Sequence, residues 1–400
     1  MGVSGLLSFV ESATQECHVS QFGSVAVDAS CWLHRGARAA VSDMLHGRDP
    51  SKRSLGYPLR MIDMLLKAGA QPTVVFDGAP LPMKARTDAA RRVERQRHHE
   101  AAQALMLDGK ESLAEKELAG AIEVTNRMRE RLIDALRERD VSFVVAPYEA
   151  DAQIAFLVLS GACEAAITED SDLLAYRCPR TIFKLKDDGY GRLQVFDDLQ
   201  LACEGGGARL FDGQWTDEWR LWESGLFTDL CILAGCDFLE MPGVGIKTAH
   251  KLLREHRSIQ NALAAMLRAG QLKDHALAEA FLEQFWRVQL VFRHQRVYNP
   301  ETRAVQPLRT DDEAYITSVD HFDYLGMPLL PRTAQMVCER AVLDPRTLLP
   351  VEGVDPSQLK GDDATPEKEN RKPSLCAAVP EPHTLGATRV SEGSVSRFFR

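Results

Sequence analysis

At 400 residues, with 45% hydrophobic and 26% charged side chains, the chain has the make-up of a globular protein of two or three domains, or one large domain with a tail. No uncharged apolar run reaches the ~18–20 residues of a membrane span. Glu11, Glu16 and Asp28 interrupt any signal-peptide core, and the nine cysteines show neither CxxC pairs nor zinc spacing, which argues against a disulfide framework or structural zinc and for a reducing intracellular compartment.

In chain order, Ser24-Val25-Ala26-Val27 reads as a short buried strand running into Asp28. Apolar spacing predicts a helix over 57–69, and Pro72 to Phe76 a second strand ending at Asp77-Gly78. Residues 84–139 are rich in Ala, Arg and Glu and break near Asp108-Gly109-Lys110, which predicts a pair of inserted helices. Between Lys84 and Arg97 stand six cations against two acids, so the net charge of −9 conceals a basic stripe. A strand over 141–145 leads into Glu149 and Asp151 at the start of a helix over 149–160, and a strand over 164–168 leads into Asp170-Ser171-Asp172. Gly205-Gly206-Gly207 marks an irregular loop, and the pattern after 225 is helical, with Asp237 in AGCDFLEMPGVG. Residues 301–350 are mixed, and from about 352 a Pro/Glu/Asp/Ser/Lys composition predicts disorder.

Short β-branched strands alternating with helices predict an α/β fold whose mostly parallel sheet is flanked by helices, with its ligand crevice at the carboxyl ends of the strands. Seven carboxylates are expected at strand ends or helix starts: Asp28, Asp77, Glu149, Asp151, Asp170, Asp172 and Asp237. Hard divalent cations take oxygen ligands, and Mg²⁺ is held by a few carboxylates with water and phosphate completing its shell. Two such ions, ~3.5–4 Å apart, activate a water and stabilise the leaving oxygen of a phosphodiester. A basic stripe beside an acidic cluster suits a metal-dependent enzyme acting on a polyanion.

The segments MGVSGLL, VAVDASCWLH, VVFDG, APYEADAQIA, ITEDSDLLAY and GCDFLEMPGVGIKTA together resemble the flap-endonuclease/XPG family of structure-specific 5′ nucleases, over roughly residues 1–345. CWLH and LPMKAR are most similar to its exonuclease 1 branch. The resemblance implies a PIN-like nuclease core with an inserted helical arch and a helix-two-turn-helix element on duplex DNA. It divides the chain into a nuclease region over 1–99 that includes the start of the arch, the rest of the arch over 100–139, an internal nuclease region over 140–225, the helix-two-turn-helix and the end of the core over 226–350, and a tail over 351–400. It implies that the seven carboxylates bind two Mg²⁺ ions, which Mn²⁺ can replace, and that Lys84 and Arg91 are the catalytic cations of the arch.

By the same resemblance, His34 stacks on the nucleotide at the cleavage site, Gly2 lies near the active site, and Arg95 continues the cationic face one turn on. Gly243, Gly245 and Lys247 of MPGVGIKTAHKLL open a helix towards DNA phosphate. A K⁺ ion is implied at the same turn, held by backbone carbonyls because Ala234 and Met241 stand where hydroxyl residues would help. The segment 203–215 reads as an insertion. Glu392, Val395, Phe398 and Phe399 have the spacing of a sliding-clamp (PCNA) box, with Glu392 in place of the usual Gln. The function implied is a Mg²⁺-dependent 5′→3′ double-stranded DNA exonuclease with 5′-flap endonuclease activity. It would work as a monomer in the nucleus on 5′ ends, nicks, gaps or flaps, alongside mismatch-repair proteins. A flap endonuclease proper and a non-catalytic DNA-binding scaffold are the alternatives.

Overall fold

The computed structural model describes residues 2–204, 208–211, 225–272, 274–310 and 322–359. Seven strands form the central sheet: β1 (Thr14–His18), β2 (Ser24–Asp28), β3 (Gln71–Phe76), β4 (Ser142–Val145), β5 (Ala165–Ile167), β6 (Arg180–Phe183) and β7 (Tyr190–Val195). Their order is β1-β7-β6-β5-β2-β3-β4. The five strands from β6 to β4 are parallel, and β7 and β1 close one edge antiparallel. The fold is thus the expected α/β arrangement, extended by three strands that the sequence reading lacked: β1, β6 and β7.

Side-chain alternation assigns the faces. Val25 and Val27 of β2, with Val74 and Phe76 of β3, point into one core. That core is closed by α1 (Ala29–Ala39), α2 (Gly56–Lys67) and a helix over Asn126–Arg137. Ala26 and Val75 point the other way, under α6 (Ala150–Leu159) and the helices α8 (Leu226–Ala234), α9 (Ile246–His256), α10 (Ile259–Arg268) and α11 (His275–His294).

The expected helical pair over 84–139 is instead three helices: α3 (Ala85–Leu107), α4 (Glu111–Gly120) and α5 (Asn126–Arg137). The second break follows Gly120, the last residue of α4, and ends at Thr125, whose side chain accepts the Met128 amide at 3.2 Å and starts α5. α5 then buries Met128, Leu132, Ile133 and Leu136 in the core, and α3 and α4 pair as a hairpin that joins the same core through Ala102 and Leu118. Its packing includes His98 Nδ1, 2.8 Å from Glu117 Oε2, and Glu111 at the head of α4 pairs with His46 Nε2 at 3.3 Å.

Past β7, a two-residue ladder joins β8 (Cys203–Glu204) to β9 (Ala208–Arg209), so part of the 203–215 segment is a small hairpin. The mixed region contains a second hairpin, β10 (Arg296–Asn299) with β11 (Ala304–Pro307). The first residues of the expected tail are structured: Val351 donates its amide to the Val342 carbonyl, and Pro356–Leu359 forms a turn, so the expected onset of disorder at about 352 is too early. The clamp-box residues Glu392, Val395, Phe398 and Phe399 lie outside the described residues.

Candidate active site

The chain passes from β2 through β3 to β4 on one side and then returns to place β5 on the other side of β2. The crevice at such a reversal opens beyond the carboxyl ends of the two strands. Asp28 ends β2, and Asp170 and Asp172 follow β5, with Asp172 opening a short helix, α7 (Asp172–Ala175).

Three of the seven carboxylates, those of Asp28, Asp77 and Asp170, accept from backbone or hydroxyl donors. Asp28 caps α1, its Oδ1 accepting the amides of Ser30 (2.9 Å) and Cys31 (3.3 Å). Asp77 accepts the Ala150 amide at 2.9 Å and the Ser30 hydroxyl at 2.5 Å, which ties β3 to the starts of α6 and α1. Glu149 stands at the N-cap of α6 and Asp151 in its first turn. Asp170 Oδ1 accepts the Asp172 amide at 3.0 Å. Asp237 sits in the turn after α8, where its carbonyl accepts the Thr87 hydroxyl of α3.

The base of α3 brings cations into this ring. Lys84 Nζ is 2.6 Å from Glu149 Oε1 and 3.0 Å from Asp237 Oδ2, and Arg91 Nη2 is 2.6 Å from Asp237 Oδ1. Arg95 is turned aside, 3.6 Å from Glu123. His34 is half-buried on α1, within the electrostatic reach of Arg38, Asp77, Arg95 and Glu123; burial first, then Arg38, lowers its pKa.

The acids are mutually perturbed. Burial foremost, then Asp77, pushes Asp28 up to about 6; burial pushes Glu149 up to about 7 despite Lys84. Asp151 and Asp172 are raised well above the usual carboxylate range by burial and then by Asp170, and burial also raises Asp170. Asp237 is the exception: burial opposes it, but Lys84 and Arg91 hold it below its ordinary value.

Among the described residues no three Asp, Glu, His or Cys side chains form a closed metal cluster, and Lys84 bridges two of the seven acids. The donor set still fits a hard divalent cation. It is all oxygen, mostly buried and self-repelling, and Asp172 Oδ1 is buried without any hydrogen-bond partner.

Gly2 approaches this acid pair so closely that a Cβ there would lie 2.2 Å from Asp170 Oδ1 and 2.7 Å from Asp172 Oδ1, and its φ of +80° favours glycine. Gly243 and Gly245 precede α9 in open space, and Lys247 is exposed on its first turn. Sequence reasoning missed Ser30 and Thr168. Both stand two residues from a flagged acid, a spacing at which a hydroxyl or amide commonly meets a carboxylate.

Two family models match, the XPG N-terminal domain over residues 1–98 and the XPG I-region over residues 140–237. The chain is 37% identical over 313 residues to exonuclease 1 of Danio rerio, covering 77% of this chain and 37% of that protein. It is 32% identical over 378 residues to exonuclease 1 of Arabidopsis thaliana, covering 92% of this chain and 48% of that protein. It thus spans less than half the length of either relative. Among solved structures, the catalytic core of Rad2 in complex with DNA substrate superposes with a TM-score of 0.50 at 17% identity, covering 84% of this chain and 94% of that one. With its seven-stranded, mostly parallel sheet and its acids at the strand ends, the chain belongs to the flap-endonuclease/XPG family and is similar within it to exonuclease 1.

Proposed function

We propose that the chain is a Mg²⁺-dependent 5′→3′ exonuclease of double-stranded DNA that also cuts 5′ flaps. The observation that supports this most is the gathering of Asp28, Asp77, Glu149, Asp151, Asp170, Asp172 and Asp237 at one end of the sheet, with Lys84 and Arg91 of α3 seated on Glu149 and Asp237. These carboxylates would hold two Mg²⁺ ions, replaceable by Mn²⁺. When bound, the ions supply an activated water and neutralise charge at the phosphodiester.

The chain's own residues do the rest. Lys84 and Arg91, set at the mouth of the acid ring, present positive charge to the scissile phosphate and to the charge developing on it. His34 and Arg95, near each other at the foot of the arch, receive the unpaired 5′ nucleotide and its phosphate. Gly2 lets the amino-terminal segment pass close over Asp170 and Asp172. The open turn at Gly243 and Gly245, with Lys247 behind it, takes duplex phosphate at the N-terminus of α9, and K⁺ held by carbonyls belongs to the same turn. DNA with 5′ ends, nicks, gaps or flaps is the substrate class. A monomer in the nucleus, clamp binding through the tail and work beside mismatch-repair proteins complete the proposal.

The test is cleavage of a 3′-labelled duplex with a recessed 5′ end, beside a 5′-flap duplex, with and without Mg²⁺. A ladder of shortened products that disappears without metal and in Asp172→Ala, with DNA binding largely retained, is expected. Near-wild-type cleavage by Asp172→Ala refutes the metal assignment. A single cut at the flap junction, with the recessed end untouched, makes it a flap endonuclease proper; binding of both substrates without cleavage makes it a scaffold.

A further inference from the structure

We infer that Thr168 is a positioning residue of the metal site, its hydroxyl setting Asp28 against the Asp170/Asp172 pair across the gap between β2 and β5. This rests on the divalent-cation reading above. β2 and β5 pair in parallel up to Val27 and Ile167, so Asp28 and Thr168 are the next residues in register, one step past the end of the ladder. Beyond that step the two strands part, β2 into α1 and β5 into the turn that carries Asp170 and Asp172. A side chain has to do there what the ladder does below.

Thr168 is buried, and its Oγ1 donates to Asp28 Oδ2 at 2.9 Å while accepting the Asp170 amide at 3.0 Å. A hydroxyl has one proton, and the amide already supplies the hydrogen of the second bond, so the proton is committed to Asp28. Asp28 Oδ1 is occupied by the Ser30 and Cys31 amides, so both carboxylate oxygens are fixed and Oδ2 keeps a lone pair to spare. On the other side, Asp170 Oδ1 accepts the Asp172 amide. One hydrogen-bonded path therefore runs from Asp28 through Thr168 to Asp170 and Asp172, joining three proposed ligands that sit on different elements. The Cys31 thiol lies 3.8 Å from the same hydroxyl, and the β-branch of threonine restricts its rotamer, so the geometry is stiff. Groups that hold metal ligands in place in this way change metal affinity ~10–100-fold when removed.

The experiment measures Mn²⁺ binding to the DNA-free protein by the EPR signal of free Mn²⁺. Thr168→Val keeps the shape but leaves Asp28 Oδ2 and the Asp170 amide without their partner. Binding is expected to weaken ~10–100-fold. Thr168→Ser, which restores the hydroxyl, should recover most of the loss, and the Mg²⁺ concentration giving half-maximal cleavage should rise in step for valine only. If valine and serine both lower the melting temperature while Mn²⁺ affinity and half-saturating Mg²⁺ stay at wild-type values, the role is structural and the inference is overturned. Should Thr168→Val not fold, Thr168→Ala replaces it: serine binding Mn²⁺ more tightly than alanine supports the inference, and equal binding refutes it. Binding lost in Asp172→Ala but unchanged at Thr168 overturns this inference alone. Absence of Mn²⁺ binding in the wild type overturns the metal reading with it.

Discussion

Five of the seven acids are held above their ordinary range, and this gives the metal-free protein a pH dependence opposite to that of a salt-bridged carboxylate. A carboxyl raised in the fold keeps its proton after the unfolded chain has lost it. Stability therefore falls as pH rises above the unfolded value, and the loss is complete once the folded value is passed. For Glu149, moved from 4.5 to about 7, the loss runs between those values. It amounts to about 3 kcal/mol, of which about 2 kcal/mol falls above roughly pH 5.5. For Asp28, moved from 3.8 to about 6, the loss is nearly complete by pH 6. The two groups belong to one interacting set, so the figures are not summed. With chelator present, raising the pH from roughly 5.5 to 8 should cost at least about 2 kcal/mol, or ~2–3 °C in Tm for a chain of this length.

Other groups titrate in this window. Asp229, buried beside Gln289 and raised to about 6, acts with the same sign, and His34, lowered by burial, acts with the opposite one. Asp237 stays ionised throughout and adds no slope. Metal separates these contributions, because only the acid ring responds to it. Mg²⁺ at ~100 times its Kd adds about 2.7 kcal/mol, and proton competition makes that increment larger at pH 8 than at pH 5.5. Differential scanning fluorimetry at both pH values, with EDTA and with Mg²⁺, reads the effect. Asp28→Asn should raise the Tm in EDTA at the higher pH while reducing the Mg²⁺ increment. A Tm in EDTA that is flat or rising over this window, or a Mg²⁺ increment equal at both pH values, refutes the reasoning.

Lys84→Ala and Arg91→Ala should each slow single-turnover cleavage ~10²–10³-fold, since each removes a cation aimed at developing charge; unchanged rates contradict the assignment. Gly2→Ala should lower Mn²⁺ affinity and cleavage together, because its Cβ would be placed 2.2 Å from a carboxylate oxygen that Asp172 already holds. Wild-type values for both would mean that the amino-terminal segment does not bear on the site. In the tail, Phe398→Ala with Phe399→Ala should abolish capture by an immobilised sliding clamp, and equal capture removes the clamp box from the proposal.

The seven acids were legible because each stands at a predicted strand end or helix start, a signal confined to a few neighbouring residues. The edge strands were not: β1 is Thr-Gln-Glu-Cys-His, and it owes its strand to antiparallel pairing with β7, about 176 residues away, rather than to any apolar alternation. The break before α5 was missed because its signal, Gly120 closing one helix and the Thr125 cap opening the next, spans only a few residues inside a long Ala/Arg/Glu-rich stretch. The arch stripe shows the same limit at the site itself. Lys84, Arg91 and Arg95 look alike along one helix face, yet two reach Asp237 and the third pairs with Glu123, a choice made by tertiary position. Thr168 is the strongest case. Its spacing to Asp170 is local, but what gives it a task is the bond to Asp28, 140 residues earlier, and that neighbour exists only because β5 returns to the far side of β2. Residue type and spacing can therefore nominate the atoms that would touch a cation. The groups that fix the distance between those atoms are set by topology.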